Sequence, residues 1–277
     1  MVVNKVAFQG ERGAYSELAV IHFFPNSAPI PIRSFQEVIE ALSSGLCDYA
    51  VVPIENSIEG SVNEVYDLLL QSNLYIVGET HQRIHHCLIA IKGNDVGSLR
   101  EVYSHPQALA QCRQYINEKK LASVPVYDTA GAVKMIKEGQ YKGAAAIASK
   151  RAAEIYGMEI LDVGIEDRKS NFTRFYVLSR ESANTKPSGN DRTSIIFSVK
   201  HAPGSLVNIL SEFARRGINL TKIESRPTKE TPWEYNFFTD FEGHILDSKV
   251  KDVLNVIESK TAFVKVLGSY KKEMTDW

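Results

Sequence analysis

The run Ser170-Asn171-Phe172-Thr173-Arg174-Phe175 sets an amide, a hydroxyl and a guanidinium close together. A hydroxyl can hydrogen-bond or protonate a leaving oxygen, and the planar guanidinium fork suits a carboxylate. On a strand, Asn171 and Thr173 share one face and Arg174 takes the other. A loop ahead of the strand would instead aim Thr173 and Arg174 together. A neutral threonine is a weak acid, so a strand-edge Thr beside a surface Arg is the plainer reading of the pattern alone. Four further turns concentrate small and polar residues: residues 9–16, 53–61, 104–107 and 128–132. Each lies between a strand-like and a helix-like stretch. In an open α/β sheet, ligands bind beyond the carboxyl ends of the strands, where helix N-termini offer unpaired N–H groups. Taken singly, the Ser, Asp and Thr of such turns read as helix caps. Four of them in one segment predict a shared ligand cleft.

Other candidate motifs lead elsewhere. His81, His85 and His86 invite a metal reading, but no Cys or carboxylate pattern accompanies them, and the stretch predicts a polar strand surface. Gly10 and Gly13 do not complete a dinucleotide fingerprint, and no phosphate-loop sequence is present. Asn171-Phe172-Thr173 and Asn219-Leu220-Thr221 match a glycosylation pattern that is not used inside the cytoplasm.

The elements that must position these residues follow from periodicity. Strand-like stretches at 5–8, 30–32, 49–52, 74–77, 87–91, 102–103, 124–127, 144–147 and 175–178 alternate with helical ones near 14–23, 35–42, 62–70, 107–115, 130–136 and through 153. This rhythm predicts an α/β fold with largely parallel sheets. The polar run 181–191, with Pro187 and Gly189, reads as a linker. Beyond it the order is strand 193–199, helix 203–215, strands 218–225 and 235–241, helix 250–257 and strand 263–267. That is the βαββαβ, ferredoxin-like plan. Pro203 suits a first helical turn and Gly217 a helix stop.

The length of 277 residues suits two domains. With Lys+Arg 32 against Asp+Glu 33, the net charge of -1 gives no support for a nucleic-acid-binding or membrane-surface protein. The 44% hydrophobic and 23% charged residues are those of a folded core rather than of disorder. No apolar run approaches the roughly 18 residues of a membrane span. The N-terminus runs almost directly into a strand without a signal-peptide layout. Cys47, Cys87 and Cys112 make neither a disulfide framework nor a zinc knuckle. These features predict a cytoplasmic protein with reduced thiols.

Taken in order, the motifs resemble the prephenate dehydratase family. They are Phe8-Gln9-Gly10 with Gly13-Ala14-Tyr15-Ser16, residues 53–62, Ser104-His105-Pro106-Gln107-Ala108-Leu109, Asp128-Thr129-Ala130-Gly131-Ala132, Ala145-Ala146-Ile147-Ala148-Ser149 and Asn171-Phe172-Thr173-Arg174-Phe175. The C-terminal segment resembles an ACT regulatory domain through Pro203-Gly204-Ser205-Leu206, Gly217-Ile218-Asn219-Leu220 and Glu224-Ser225-Arg226-Pro227. Ser205 stands where the ACT pattern has Ala, which bears on effector strength rather than on the fold.

The resemblance implies a two-lobed, periplasmic-binding-protein-like catalytic domain over 1–182, with lobes of about 1–80 plus 166–182 and of 81–165. It implies an ACT domain over 193–277. It implies conversion of prephenate to phenylpyruvate, water and carbon dioxide without metal or cofactor, because aromatisation of the ring supplies the driving force. Thr173 then hydrogen-bonds or protonates the leaving hydroxyl, Arg174 clamps a carboxylate and Phe175 completes the catalytic motif. Asn56, Ser57, Ser104, His105, Gln107, Thr129 and Asn171 bind substrate, His105 being the second choice for proton donor. Gly204, Ser205, Leu206, Asn219, Leu220, Glu224 and Ser225 bind phenylalanine as feedback effector, and the protein pairs with itself as a homodimer or homotetramer. Arogenate dehydration and non-catalytic amino-acid sensing are the alternatives.

Overall fold

The computed structural model describes residues 3–183, 185–228 and 233–274. In chain order the elements are β1 (Lys5–Gln9), α1 (Tyr15–Phe23), β2 (Ala28–Ile32), α2 (Phe35–Ser43), β3 (Tyr49–Asn56), β4 (Gly60–Ser61), α3 (Asn63–Gln71), β5 (Tyr75–Arg83), β6 (Cys87–Ala90), β7 (Glu101–Ser104), α4 (Pro106–Gln111), α5 (Arg113–Glu118), β8 (Ala122–Pro125), α6 (Thr129–Gly139), β9 (Ala144–Ala148), α7 (Lys150–Tyr156), β10 (Glu159–Val163) and β11 (Phe172–Ser179). They continue with β12 (Asp191–Ser198), α8 (Ser205–Arg215), β13 (Leu220–Pro227), β14 (Tyr235–Glu242), α9 (Ser248–Lys260) and β15 (Phe263–Lys271). No helix among the described residues is long and apolar enough to cross a membrane.

By internal contacts the chain falls into two compact units. One comprises the residues up to Gly60 together with His81–Phe175; the other comprises Ser61–Thr80 and the chain from Tyr176 onward.

The first unit holds two lobes. In one, β1 runs parallel to both β2 and β3, in a sheet that continues from β3 to the start of β11. The apolar runs Val6-Ala7-Phe8 and Ala50-Val51-Val52 are wholly buried, as expected of central strands covered on both faces. The other lobe has the order β10-β6-β9-β7-β8 around a core that includes Leu88, Val102, Leu109 and Ile147. This sheet corrects the largely parallel expectation. Strand β7 is parallel to β8 and β9, but β6 is antiparallel to both β9 and β10. Strand β10 was not expected from the sequence.

The expected helix over 107–115 is broken at Cys112, whose backbone leaves the helical region. Asp167 explains the break. Its N–H donates to the Gln111 carbonyl (2.7 Å) and its carboxylate accepts from the Gln114 N–H (3.2 Å). Both groups would otherwise serve a continuous helix.

The lobes meet tightly at Gly13. A Cβ there would lie 2.6 Å from the Ala152 Cα, and its φ of +91° favours glycine. Ser149 caps α7 through the Ala152 N–H and donates its hydroxyl to the Gly13 carbonyl (2.5 Å).

The second unit contains the βαββαβ plan in the antiparallel order β13-β14-β12-β15. Helices α8 and α9 cover one face around Ile195, Phe197, Phe213, Phe241 and Val253. Pro203 lies ahead of the helix rather than in its first turn, because Gly204 is the N-cap, with a left-handed φ of +81°. The residues of β14 that alternate with this core, Phe238 and Asp240, face the opposite side. There Tyr66 of α3 meets Phe238 edge-on at 4.8 Å, and the Tyr176 hydroxyl donates to Asp240 (3.0 Å). Arg226 pairs with Asp67 (3.3 Å), and the Lys265 ammonium donates to the carbonyls of Leu69 and Leu70 at the end of α3. A cation suits the carbonyls at a helix C-terminus. The segment 61–80 thus belongs structurally with the C-terminal sheet, although it lies far from it in sequence.

Candidate active site

Asn56 ends β3, and its side chain organises the start of β11. Its Oδ1 accepts the N–H groups of Ile58 and Glu59, each at 3.0 Å. That leaves its NH2 facing the other way, where it donates to Asn171 Oδ1 (2.8 Å), Thr173 Oγ1 (3.0 Å) and the Phe172 carbonyl (3.2 Å). Ser57 fixes the same junction. Its N–H donates to the Phe172 carbonyl (2.8 Å), and its hydroxyl accepts the Phe172 N–H (3.0 Å).

The network continues into the other lobe. The Asn171 NH2 donates to Gln111 Oε1 (3.0 Å), which also lies 3.0 Å from His86 Nε2. His86 Nδ1 is 3.1 Å from the Tyr15 hydroxyl, and that hydroxyl donates to the His85 carbonyl (2.9 Å). Glu166 accepts the His86 N–H (2.9 Å) and contacts His85 Nδ1 (2.9 Å). Burial pushes the His86 imidazole below its usual range and the Tyr15 phenol well above its own. His86 is therefore neutral and Tyr15 protonated at neutral pH.

His86 is only 2% exposed, which overturns the expected polar strand surface for this residue. His81 lies in β5, and the His85 ring remains about half exposed. Among the described residues no group of three or more His, Cys, Asp or Glu is placed to hold a metal ion.

Thr173 and Arg174 both lie within β11, so their side chains take opposite faces; a loop aiming both together is excluded. Thr173 is half-buried, whereas Arg174 and Phe175 are buried, Phe175 at 2% exposure as a carbon wall on the Thr173 face. Asn56, Ser57, Asn171 and Thr173 are thus brought together.

The other predicted substrate residues serve their own lobe. Ser104, wholly buried, donates to the Ile147 carbonyl (2.6 Å). His105 caps α4 by accepting the Gln107 N–H at its ring (3.2 Å), and burial lowers its pKa against the pull of Asp128. Gln107 is exposed on the first turn of α4. Thr129 opens α6 behind Asp128, which caps the helix through the Gly131 N–H (2.6 Å) and whose carboxyl is raised by burial. Two of the four polar turns therefore act as caps. The turn ahead of α1 has no side-chain cap, and its Gly13 N–H is taken by Glu17 (2.6 Å).

Two openings are lined from both lobes. One, of ≈ 240 Å³, is bordered by Gln111, Asn171, Ile58, Glu59, Glu166 and Arg168. The other, of ≈ 570 Å³, is bordered by Gln9, Gly10, Arg33 and Tyr127. Sequence reasoning missed Gln111, His86 and Tyr15 as members of the site. Tyr15 stood inside a turn already singled out, but nothing marked Gln111 among the polar residues around it.

Residues 6–183 match the prephenate dehydratase family and residues 193–259 the ACT domain. The chain belongs to the prephenate dehydratase family. It is 43% identical to Arogenate dehydratase 3, chloroplastic, of Arabidopsis thaliana, over 99% of this chain and 68% of that protein. A prephenate dehydratase from Arthrobacter aurescens, solved in complex with L-Phe, superposes with a TM-score of 0.88 at 32% identity, over 96% of this chain and 89% of that one. A structure described as GqqA, a novel type of quorum quenching acylase, superposes with a TM-score of 0.91 at 36% identity, over 97% and 98% of the two chains.

In the ACT domain, Ser205 and Leu206 line a pocket of ≈ 150 Å³ with His201, Trp233 and Tyr235. Gly204 is the N-cap beside it. Leu220 packs on the helix-side core. Asn219 donates to Glu242 (3.3 Å), and Glu224 accepts the Ser61 hydroxyl (2.5 Å). Ser225 is exposed. Of the predicted effector residues, Ser205 and Leu206 are those that line this pocket among the described residues.

Proposed function

We propose that the chain converts prephenate to phenylpyruvate and that Thr173 is the group which assists departure of the ring hydroxyl. One observation carries the assignment. Asn56 donates to Thr173 Oγ1, while among the described residues no protein group accepts the threonine proton. A hydroxyl held in this way is a hydrogen-bond donor toward whatever lies in front of it. As the ring C–O bond breaks, Thr173 stabilises the leaving oxygen, which departs as water. The electron pair of the C–carboxylate bond enters the ring, carbon dioxide leaves and the ring becomes aromatic. One proton is consumed overall and is replenished from solvent through Thr173. Because a threonine hydroxyl is hardly acidic, positioning contributes as much as formal transfer.

The same geometry disfavours acyl-amide hydrolysis by Thr173. A nucleophilic hydroxyl needs a base to take its proton, and Asn56 presents a donor.

Arg174 lies buried on the face of β11 opposite Thr173, so its assignment to a substrate carboxylate rests on the chemistry of its fork and not on proximity to Thr173; Phe175 forms the wall below Thr173. Asn56, Ser57 and Asn171 hold Thr173, while Ser104, His105, Gln107 and Thr129 shape the opposite lobe. The catalytic part spans 1–182 and the ACT part 193–277. The ACT part takes phenylalanine as feedback effector, at the pocket of Ser205 and Leu206 with the residues around Asn219 and Glu224. The protein is a cytoplasmic homo-oligomer.

The deciding experiment incubates the purified protein with prephenate and, separately, with arogenate, each with and without phenylalanine, and follows phenylpyruvate and phenylalanine formation. Turnover of prephenate that phenylalanine suppresses is expected, as is a Thr173→Ala variant reduced in kcat by roughly 10²–10⁴. Turnover of arogenate alone would shift the substrate assignment, and a flat phenylalanine response would remove the effector. Activity on neither substrate would overturn the reading.

A further inference from the structure

The hydrogen bonds of the site have a direction that can be read from one end to the other. The starting point is Asn56, whose Oδ1 is committed to two backbone N–H groups. Its NH2 must then face Asn171, so Asn171 presents its oxygen to Asn56 and its own NH2 to Gln111. Gln111 therefore presents Oε1, which already accepts from Asn171 and can take only another donor from His86. His86 must carry its proton on Nε2 and leave Nδ1 bare toward the Tyr15 hydroxyl, whose one proton is then shared between Nδ1 (3.1 Å) and the His85 carbonyl (2.9 Å). His86 is 2% exposed and Asn171 is fully buried, so losing a partner at either is costly.

We infer that His86, held as the Nε2–H tautomer between Tyr15 and Gln111, is a positioning residue for Thr173, acting through Gln111, Asn171 and Asn56. This rests on the reading of Thr173 as the group that assists the leaving hydroxyl. A wrong tautomer, or no donor at His86, would leave Gln111 free to turn its amide. Asn171 could then turn in response, and the NH2 of Asn56 would lose the acceptor that holds it beside Thr173. Glu166 and Tyr15 support the imidazole from its backbone and ring sides. The relay joins the two lobes of the first unit.

The test compares His86→Leu with His86→Gln, each alone and on a Thr173→Ala background. A glutamine places an NH2 near the former Nε2 and can restore the donor to Gln111; leucine cannot. His86→Leu is expected to lower kcat by roughly 10²-fold, the cost of a small misplacement at the reacting centre, with KM nearly unchanged. His86→Gln should recover most of that loss. In the Thr173→Ala background His86→Leu should cost almost nothing further, because the two residues act as one unit. Long-range nitrogen–proton NMR of the wild type should show the Nε2-protonated ring.

Equal losses in both backgrounds, failure of glutamine to rescue, or an Nδ1-protonated ring would overturn the inference. If His86→Leu does not fold, the glutamine variant and the tautomer spectrum decide. A wild type inactive on prephenate and arogenate but carrying the Nε2 tautomer would instead refute the dehydratase reading and leave the relay standing.

Discussion

Replacing Asn56 by Asp tests the direction of the hydrogen bond on Thr173 with almost no change of shape. The oxygen that accepts the Ile58 and Glu59 N–H groups is retained, so the turn after β3 keeps its anchor. The other oxygen replaces an NH2 that lies 3.0 Å from Thr173 Oγ1 and that also donates to Asn171 Oδ1 and the Phe172 carbonyl, so the Asn171 amide must turn its NH2 toward the new carboxylate. Thr173 then becomes the donor, and its proton is captured by the carboxylate. To assist a leaving hydroxyl, the threonine must give up a hydrogen bond to a charged acceptor, worth about 1.5–3 kcal/mol. At 1.36 kcal/mol per factor of ten, kcat should fall by roughly 10-fold to 160-fold. The assay is steady-state turnover of prephenate across pH, with circular dichroism to confirm folding. KM can also rise, since a new carboxylate repels a dianionic substrate, so kcat is the diagnostic quantity. Lowering the pH should partly restore kcat, because a protonated Asp carboxyl can again donate to Thr173. The variant should add little to Thr173→Ala. A kcat within about threefold of wild type, or a loss that multiplies fully with Thr173→Ala, would refute the donor assignment.

Other perturbations probe separate parts of the molecule. Arg174→Gln should raise KM by about tenfold or more through loss of one charge-assisted pair, and a pure kcat defect would contradict the clamp. Gly13→Ala should destabilise the protein by about 1–3 kcal/mol in denaturant melts, since the new methyl meets the Ala152 backbone at an unfavourable φ; wild-type stability would argue against the close lobe contact. In the ACT domain, bonds from Lys260 and Arg216 hold the Glu212 carboxyl down at about 2. A depressed folded pKa contributes stability above the unfolded carboxylate value, and that stability is lost as pH falls from about 4.5 toward 2. Glu212→Gln should therefore lower Tm at pH 7 and lessen the fall of Tm across that acid window; an unchanged acid limb would show that the cluster contributes nothing.

Much of the fold was legible because its signals are local. The buried run of β3 and the amphipathic face of α8 with Ile209 and Phe213 each rest on residues a few positions apart, whereas the start of α8 falls at Gly204 and not at the expected Pro203. What escaped depended on partners remote in sequence. The break between α4 and α5 is imposed by Asp167, and nothing within residues 107–115 announces it. Segment 61–80 reads as one more α/β unit, yet its Tyr66, Asp67 and the end of α3 are held by residues of the C-terminal sheet. His86 sits in a polar stretch, and only the packing of Tyr15 and Gln111 around it explains its burial.

By themselves, the ordered motifs determined the family, the α/β-then-βαββαβ order and the place of Thr173 and Arg174 on one short stretch. Each of these depends on neighbours along the chain. Tertiary structure decided which face of β11 each side chain takes, which polar residues meet, and which way every amide in the relay points. Asn56 and Thr173 are 117 positions apart, and the orientation of their bond is set by two backbone N–H groups that only the folded turn brings to Asn56. Spacing constrains residue types along a strand or helix; it carries no information about donor direction, which arises only when separate segments are packed together and every buried polar group must find a partner.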